Sequence, residues 1–119
     1  MMRNVKTHIL FFSVVLTAAM FYSCAKPPTA EMNAAAAAVA KAESDADAKT
    51  YAPDSLKRAT DALTRMRAEA DAKRYDAARS LAQEATQAAD KALADGKAGL
   101  ERAKNEASSG IGAAKAAAV

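Results

Sequence analysis

Few residues of this 119-residue chain have side chains that could carry out chemistry. Cys24 is the one cysteine and His8 the one histidine. A single cysteine cannot close an intramolecular disulfide, and no histidine beyond Cys24 is present to activate a Ser or Thr nucleophile or to complete a Zn site. The four glycines occupy positions 96, 99, 110 and 112 and form no phosphate-binding loop. Cys24 is therefore the one position at which a specific chemical modification is predicted.

The charged residues predict a solvated surface. Arg3 and Lys6 precede Cys24, so the chain from Cys24 onward has 15 basic and 14 acidic residues. These charges alternate in sign along the predicted helices, which is typical of solvent-facing surfaces and not of general acid/base pairs or a nucleic-acid interface. We therefore expect no catalytic activity, no cofactor, no bound metal and no nucleic-acid partner.

The first 23 residues have the pattern of a signal peptide. Arg3 and Lys6 form a basic start, and an apolar run from Ile9 to Tyr22 follows, interrupted only by Ser13 and Thr17. This order is that of a secretory leader, and the run is short for a transmembrane helix, which needs about 20 residues. Residues 1–23 are predicted to be removed.

Ser23 followed by Cys24 at the end of this run resembles the lipobox of bacterial lipoproteins, although Phe21 and Tyr22 differ from the residues usual there. The resemblance implies cleavage between Ser23 and Cys24, with an S-diacylglycerol and an N-acyl group on Cys24. These acyl chains would hold the protein in membrane lipid. Ala25 is not Asp, which in Gram-negative lipoproteins implies transfer to the outer membrane. The alternatives are an uncleaved signal anchor and ordinary cleavage nearby that leaves a free thiol.

Beyond Cys24 the sequence predicts a proline-containing tether over residues 24–30 and a helical domain over 31–108. Three helices are expected, over about 30–49, 53–72 and 75–107, followed by a flexible tail over 109–119. Apolar residues recur at spacings of three and four in each helix. The stripes are Met32, Ala35, Val39, Ala42 and Ala46; Leu56, Ala59, Leu63, Met66 and Ala70; and Ala78, Leu81 or Ala82, Ala85, Ala89, Ala92 or Leu93, Gly96, Leu100, Ala103 and Ala107.

Local signals refine this prediction. Thr29 is expected to cap the first helix and Pro53 to open the second. Asp54 with Arg58, and Asp61 with Arg65, have the spacing of helical ion pairs. A turn is placed over 71–74. Gly96 and Gly99 predict a bend or fraying of the third helix, and the Ser-Ser-Gly-Ile-Gly segment at 108–112 predicts its end.

Alanine dominates the composition and sets the expected architecture. It occupies 35 positions, and it combines high helix propensity with very little apolar surface to bury. The predicted fold class is all-α: an alanine-rich antiparallel helical hairpin or small two-to-three-helix bundle, similar to a coiled coil, with closely packed helices and a small core.

The segment Tyr51-Ala52-Pro53-Asp54-Ser55-Leu56 and the later pattern of Tyr75, Ala78, Leu81, Ala82, Ala85 and Ala89 resemble a family of small bacterial envelope proteins, domain of unknown function 4398. The resemblance covers about residues 34–94 and implies a helical fold and usually a lipoprotein leader, but no activity. Tyr51 and Tyr75 are interpreted as wedges that fill the hairpin ends. The alternative is that they line a small binding groove.

These observations together predict a lipid-anchored protein of the bacterial outer membrane, facing the periplasm, with a structural or scaffolding role. The expected partners are membrane lipid at Cys24 and either another envelope protein or a second copy of the chain. One alternative is a helical module that binds a protein or peptide. Another is an oligomeric coiled-coil spacer resembling the murein lipoprotein. Lys115 lies four residues inside the C-terminus, so covalent attachment to peptidoglycan through a terminal Lys is not expected.

Overall fold

The computed structural model describes residues 26–118, and four α-helices occupy nearly all of this range. They are α1 (Thr29–Ser44), α2 (Ala46–Tyr51), α3 (Pro53–Asp71) and α4 (Tyr75–Ala117). No strand is present among these residues, and the predicted all-α class is confirmed.

The helices form a small up-down-up bundle in which α4 contacts each of the other three. Glu31 lies beside Arg79, Ala48 beside Gly96 and Tyr51 beside Gly99, an offset of 48 residues in every case. A constant offset means that α1 and α2 run parallel to α4 in one register. Helix α3 runs the other way, since it joins α4 through the short turn at 72–74.

Alanine makes up most of the core. Twelve of the sixteen buried hydrophobic residues in the described part of the chain are alanine, and Met66 and Val39 are the largest fully buried side chains. The stripes predicted for the three helices supply twelve of these sixteen residues, and Met32, Leu56, Ala70 and Leu93 pack at the edge of the core. The other four, Ala48, Ala52, Ala62 and Ala88, lie outside the predicted stripes. Ala46, expected on the buried stripe, is exposed because a new helix starts after Asp45. Because alanine side chains are short, the helix backbones lie close together, and the core is thin.

The first predicted helix, over about 30–49, is divided in two at Asp45. Asp45 adopts an extended conformation (φ −81°, ψ 121°), and its Oδ1 accepts a hydrogen bond of 2.8 Å from the backbone N–H of Ala48. This is the geometry of an N-cap, which Asp favours because its carboxylate satisfies a free N–H of the first turn. The break starts α2, which packs most closely against α4.

The two later junctions have simple local causes. Pro53 is the first residue of α3, where its missing N–H costs nothing and its fixed φ suits the helix. At the end of α3, Lys73 has a φ of 60°, in the left-handed region, and Arg74 donates its N–H to the carbonyl of Glu69 at 2.9 Å. A left-handed residue of this kind commonly ends a helix. Here Lys73 takes that position without a glycine.

Three local expectations differ from the structure. Thr29 is the first residue of α1, which begins after Pro28 without a side-chain cap. On α3, Asp61 pairs with Lys57 at 2.5 Å, and Arg58 reaches Glu84 on α4 at 3.6 Å. Because Asp61 pairs with Lys57, the expected pair of Asp61 with Arg65 is not formed. Because Arg58 pairs with Glu84, the expected pair of Asp54 with Arg58 is not formed either.

Helix α4 also continues where the sequence predicts a bend and then an end. It passes through Gly96 and Gly99 without interruption and through the glycines at 110 and 112 as far as Ala117. The first two glycines are buried under α2. Between residue 108 and the end of the helix, the high helix propensity of four alanines offsets the cost of about 1 kcal/mol for each glycine. Residues 109–117, expected as a flexible tail, are therefore helical.

Candidate functional site

Cys24 and the predicted cleavage site before it lie outside the described residues, so lipidation at Cys24 stays a prediction. The tether expected over 24–30 is described only from Lys26. Lys26, Pro27 and Pro28 are not helical, and α1 begins at the next residue. Five residue steps therefore separate Cys24 from Thr29. A fully extended chain spans at most about 3.6 Å per step, so Cys24 lies within about 18 Å of the start of α1.

Helices α2 and α4 lie in close contact at two glycines. A Cβ atom placed on Gly96 would lie 2.5 Å from the backbone nitrogen of Ala48, and one on Gly99 would lie 2.3 Å from Cβ of Tyr51. Both distances are far shorter than van der Waals contact. Glycine at these two positions therefore lets the backbone of α2 lie directly on α4. Their spacing of three within the apolar stripe is the sequence signal that could have indicated this contact.

The two tyrosines occupy different environments. Tyr51, the last residue of α2, rests on Gly99 and is 38% exposed. Tyr75 opens α4 at the other end of the bundle and is half-buried. Since α2 runs parallel to α4, these residues lie at opposite ends and do not share a groove. The contact of Tyr51 with Gly99 agrees with its interpretation as a wedge.

The C-terminal part of α4 extends beyond the other helices. Gly99 is its last buried residue, Leu100 and Ala103 are half-buried, and the remaining residues to Ala117 are exposed, including Ile111 at 58%. We refer to residues 101–117 as the α4 extension. At 1.5 Å per residue it is about 25 Å long. It lies at the end of the bundle opposite the start of α1.

The α4 extension continues the pattern that α4 uses inside the bundle. Ala103, Ala107, Gly110, Ala114 and Ala117 follow at spacings of three and four, in phase with Ala92, Gly96 and Gly99. Inside the bundle this face is covered by α1, α2 and α3. Ala103 on this face is still half-buried, and from Ala107 to Ala117 the face is exposed.

A polar groove of about 320 Å³ lies between α3 and α4. Three of its four charged side chains are paired: Arg58 with Glu84 at 3.6 Å, and Lys91 with Asp95, which does not itself line the groove, at 2.7 Å. Asp95 also accepts a hydrogen bond of 3.1 Å from Ser55 across the two helices. These partners, the Lys91 hydrogen bond first, lower the pKa of Asp95 below its usual value. The groove is thus a network of paired surface charges.

The turn end of the bundle has a different charge pattern. Residues 26–32 and 65–79, which meet there, carry six basic and four acidic residues, whereas the rest of the described chain carries nine basic and ten acidic. Arg74 is hydrogen-bonded to Glu69, which lowers the pKa of that carboxylate, and Arg79 lies between Glu31 and Asp76. Arg67 and Lys73 are exposed and have no carboxylate within 4.0 Å among residues 26–118.

Two further features concern metals and membranes. Within the described part of the chain, no group of three or more His, Cys, Asp or Glu side chains is placed to hold a metal ion. In the same range no helix combines the length and the apolar character that crossing a membrane requires.

The helical bundle matches a known family. The model of the family described as Domain of unknown function (DUF4398) matches residues 30–108, about two thirds of the chain. The chain belongs to this family, as the Tyr-Ala-Pro segment and the second tyrosine pattern indicated. No curated protein and no solved structure gave a significant match.

The family match ends inside the α4 extension. It begins at Ala30, the second residue of α1, spans α2 and α3, and reaches Ser108 on α4. Residues 109–117 continue the helix for about two and a half turns past that point. The family description names no activity, so any role for the bundle or for the extension has to be inferred from their own residues.

Proposed function

We propose that this protein is an envelope lipoprotein, anchored in the outer membrane through acyl chains on Cys24 and facing the periplasm. Its role is structural or scaffolding and requires no catalysis. The basic start, the apolar run and Ser23-Cys24 support the anchor. The observation that carries the scaffolding role is the position of the α4 extension, at the far end of the bundle from the tether.

The geometry of the bundle supports this proposal, because the tether and the α4 extension lie at opposite ends. The start of α1 lies within about 18 Å of Cys24. Helix α4 runs parallel to α1 and, at 43 residues, is about 65 Å long. A chain anchored at Cys24 can therefore hold the α4 extension well away from the lipid surface, where a partner in the periplasm can reach it.

A binding module is the runner-up, and one observation favours it. The α4 extension repeats the small-residue face that accepts α2 at Gly96 and Gly99, and it adds Ile111 as an exposed apolar side chain. A partner helix packed on this face would repeat the kind of contact that α4 already makes. An oligomeric spacer would use the same face with further copies of the chain.

Fatty-acid labelling tests the anchor. Cells producing the wild-type chain are grown with a radiolabelled fatty acid, and the protein is isolated. The label should be present in the wild type and in Ile111→Ala, the matched control, and absent from Cys24→Ala. Equal labelling of Cys24→Ala would contradict lipidation at this position.

Site-specific crosslinking tests the scaffold. A photoreactive amino acid is placed at Ala107, on the α4 extension, or at Gln83, an exposed position within the bundle. If the extension presents a partner-binding face, Ala107 should give a discrete crosslinked species in intact cells and Gln83 should not. The absence of any species specific to Ala107 would contradict the scaffolding role.

The mass of the crosslinked species then separates the alternatives. A product of one chain with a different envelope protein supports a scaffold or binding module. A product of twice or three times the mass of the chain supports the spacer. Sedimentation of the purified protein in detergent provides a second test. A monomer is expected for the scaffold, and a dimer or trimer for the oligomeric spacer.

A further inference from the structure

We infer that the turn end of the bundle, around Lys73, is a docking surface for the anionic phosphate headgroups of the membrane in which the chain is anchored. This inference rests on the proposed anchor at Cys24. It adds a second contact with the membrane and fixes the orientation of the bundle.

The first support is the meeting of tether and turn at one end. Glu31, in the first turn of α1, lies 3.6 Å from Arg79, in the second turn of α4. The loop at 72–74 therefore lies beside the start of α1. Because Thr29 is within about 18 Å of Cys24, this end of the bundle is the one that the tether keeps near the lipid surface.

The second support is the charge at that end. Lys26, Arg65, Arg67, Lys73, Arg74 and Arg79 lie in the two segments that meet there, against four carboxylates. Glu69, Glu31 and Asp76 are all engaged by Arg74 or Arg79. The fourth carboxylate, Asp71, is exposed and has no basic partner within 4.0 Å among residues 26–118. The turn end therefore keeps a net excess of two positive charges, and Arg67 and Lys73 are exposed there.

Screening by salt limits the distance over which these basic side chains can attract the membrane. The Debye length is about 8 Å at physiological ionic strength, so a cation contributes to membrane binding only when it lies close to the headgroups. The tether lets the turn end reach the headgroups, whereas the α4 extension, at the other end of the bundle, lies several Debye lengths away. The remainder of the described chain has one more acidic than basic residue and gives no competing attraction.

Depth-dependent quenching tests this orientation with the full lipid-modified protein. In that form the Cys24 sulfur is blocked by the diacylglycerol, so one introduced cysteine is the only free thiol. A fluorophore is attached at Ala72→Cys, in the turn, or at Ala114→Cys, on the α4 extension. The protein is reconstituted into vesicles of phosphatidylcholine alone or of equal parts phosphatidylcholine and phosphatidylglycerol, each with a trace of headgroup-nitroxide lipid.

The fluorophore at position 72 should be quenched several-fold more in the anionic vesicles than in phosphatidylcholine, and high salt should remove the difference. The fluorophore at position 114 should show little quenching in either. Adding Arg67→Glu with Lys73→Glu should lower the quenching at position 72 to the phosphatidylcholine level. The matched pair Lys49→Glu with Lys97→Glu makes the same charge change away from the turn and should leave it unchanged.

Circular dichroism of both double variants checks that the helices are intact. Lys73→Gln, a single change at an exposed position that removes a charge without reversing it, should lower the quenching at position 72 in part. Equal quenching at position 72 in both kinds of vesicle, or an equal effect of the two charge-reversal pairs, would overturn the docking surface. Flotation of the vesicles on a density gradient tests the anchor separately. If the protein floats with neither kind of vesicle, both the proposed anchor at Cys24 and the proposed orientation are contradicted. A chain that floats with both but shows no preference at position 72 overturns the orientation alone.

Discussion

The two parts of helix α4 have the same small-residue face but differ in what covers it. From Tyr75 to Gly99 the face is buried by the other three helices, and from Ala107 to Ala117 it is exposed. Each part contains two glycines. In the bundle, a side chain at either glycine would collide with α2, whereas at Gly110 and Gly112 the surrounding space is empty. The same residue type is therefore required by packing in one part and is only a cost to helix stability in the other.

Removing a large apolar side chain should change the free energy of unfolding far more in the bundle than on the α4 extension. Met66 on α3 is 1% exposed and packs in the core against α4, whereas Ile111 on the extension is 58% exposed. Met66→Ala should lower the free energy of unfolding by about 2–5 kcal/mol, because a core of alanine cannot collapse to fill the cavity. Ile111→Ala should change it by less than about 0.5 kcal/mol. Urea unfolding followed by circular dichroism measures both, and equal losses would contradict a core confined to the bundle.

A smaller loss is expected where α2 crosses α4. Gly96→Ala places a Cβ about 2.5 Å from the backbone nitrogen of Ala48, and this neighbour is backbone and cannot rotate away. Overpacking of this kind costs typically about 1–3 kcal/mol, which exceeds the gain of about 1 kcal/mol in helix propensity. The variant should therefore have a lower free energy of unfolding than the wild type. An increase would show that α2 does not pack directly on α4 at Gly96.

The extent to which this fold follows from the sequence differs between the core and the junctions. The apolar spacing around Val39, Leu63 and Ala85 located the buried faces, because a helix buries one side whatever its partners are. The spacing of Gly96 and Gly99 can indicate a close helix contact, but the partner is a backbone 48 residues away, which the local pattern does not identify. The sequence pattern does not indicate the break at Asp45, although Asp is a strong N-cap residue, because the alanines around it fit one continuous helix equally well.

The candidate site divides in the same way. Cys24 is recognised from the run that precedes it, and it stays a prediction. The α4 extension could not be recognised from the sequence, because Gly110 and Gly112 have the composition of a loop. Only the length of α4 relative to its partner helices reveals that the segment is a free helix, and that length is a property of the assembled bundle.

A glycine-to-alanine substitution on the α4 extension should stabilise the helix locally, whereas Gly96→Ala destabilises the bundle. At Gly112 a Cβ meets nothing within 4 Å, so Gly112→Ala adds helix propensity without a collision. The local helix should gain about 0.5–1 kcal/mol, while the global free energy of unfolding should stay the same because the extension lies outside the core. Amide hydrogen exchange across residues 105–117 should slow in Gly112→Ala and not in Gly96→Ala. Unchanged exchange in Gly112→Ala would contradict an unpartnered helix in this region.

The smallest effect concerns Asp95, the carboxylate that joins α3 to α4 just before the extension begins. It accepts hydrogen bonds from Lys91 and from Ser55, and these lower its pKa in the folded chain below the ordinary value of 3.8. A lowered folded-state pKa stabilises the fold at pH values above the unfolded-state pKa, and the contribution is lost as the pH falls through the folded-state value. Asp95→Asn should therefore be less stable than the wild type at neutral pH, and the difference should shrink when unfolding is measured below pH 3.8. Because the Asp95 side chain is 40% exposed, the effect should be small and should weaken with added salt. A difference that does not change with pH would mean that the Ser55 hydrogen bond alone, and not the carboxylate charge, connects the two helices at the point where α4 leaves the bundle.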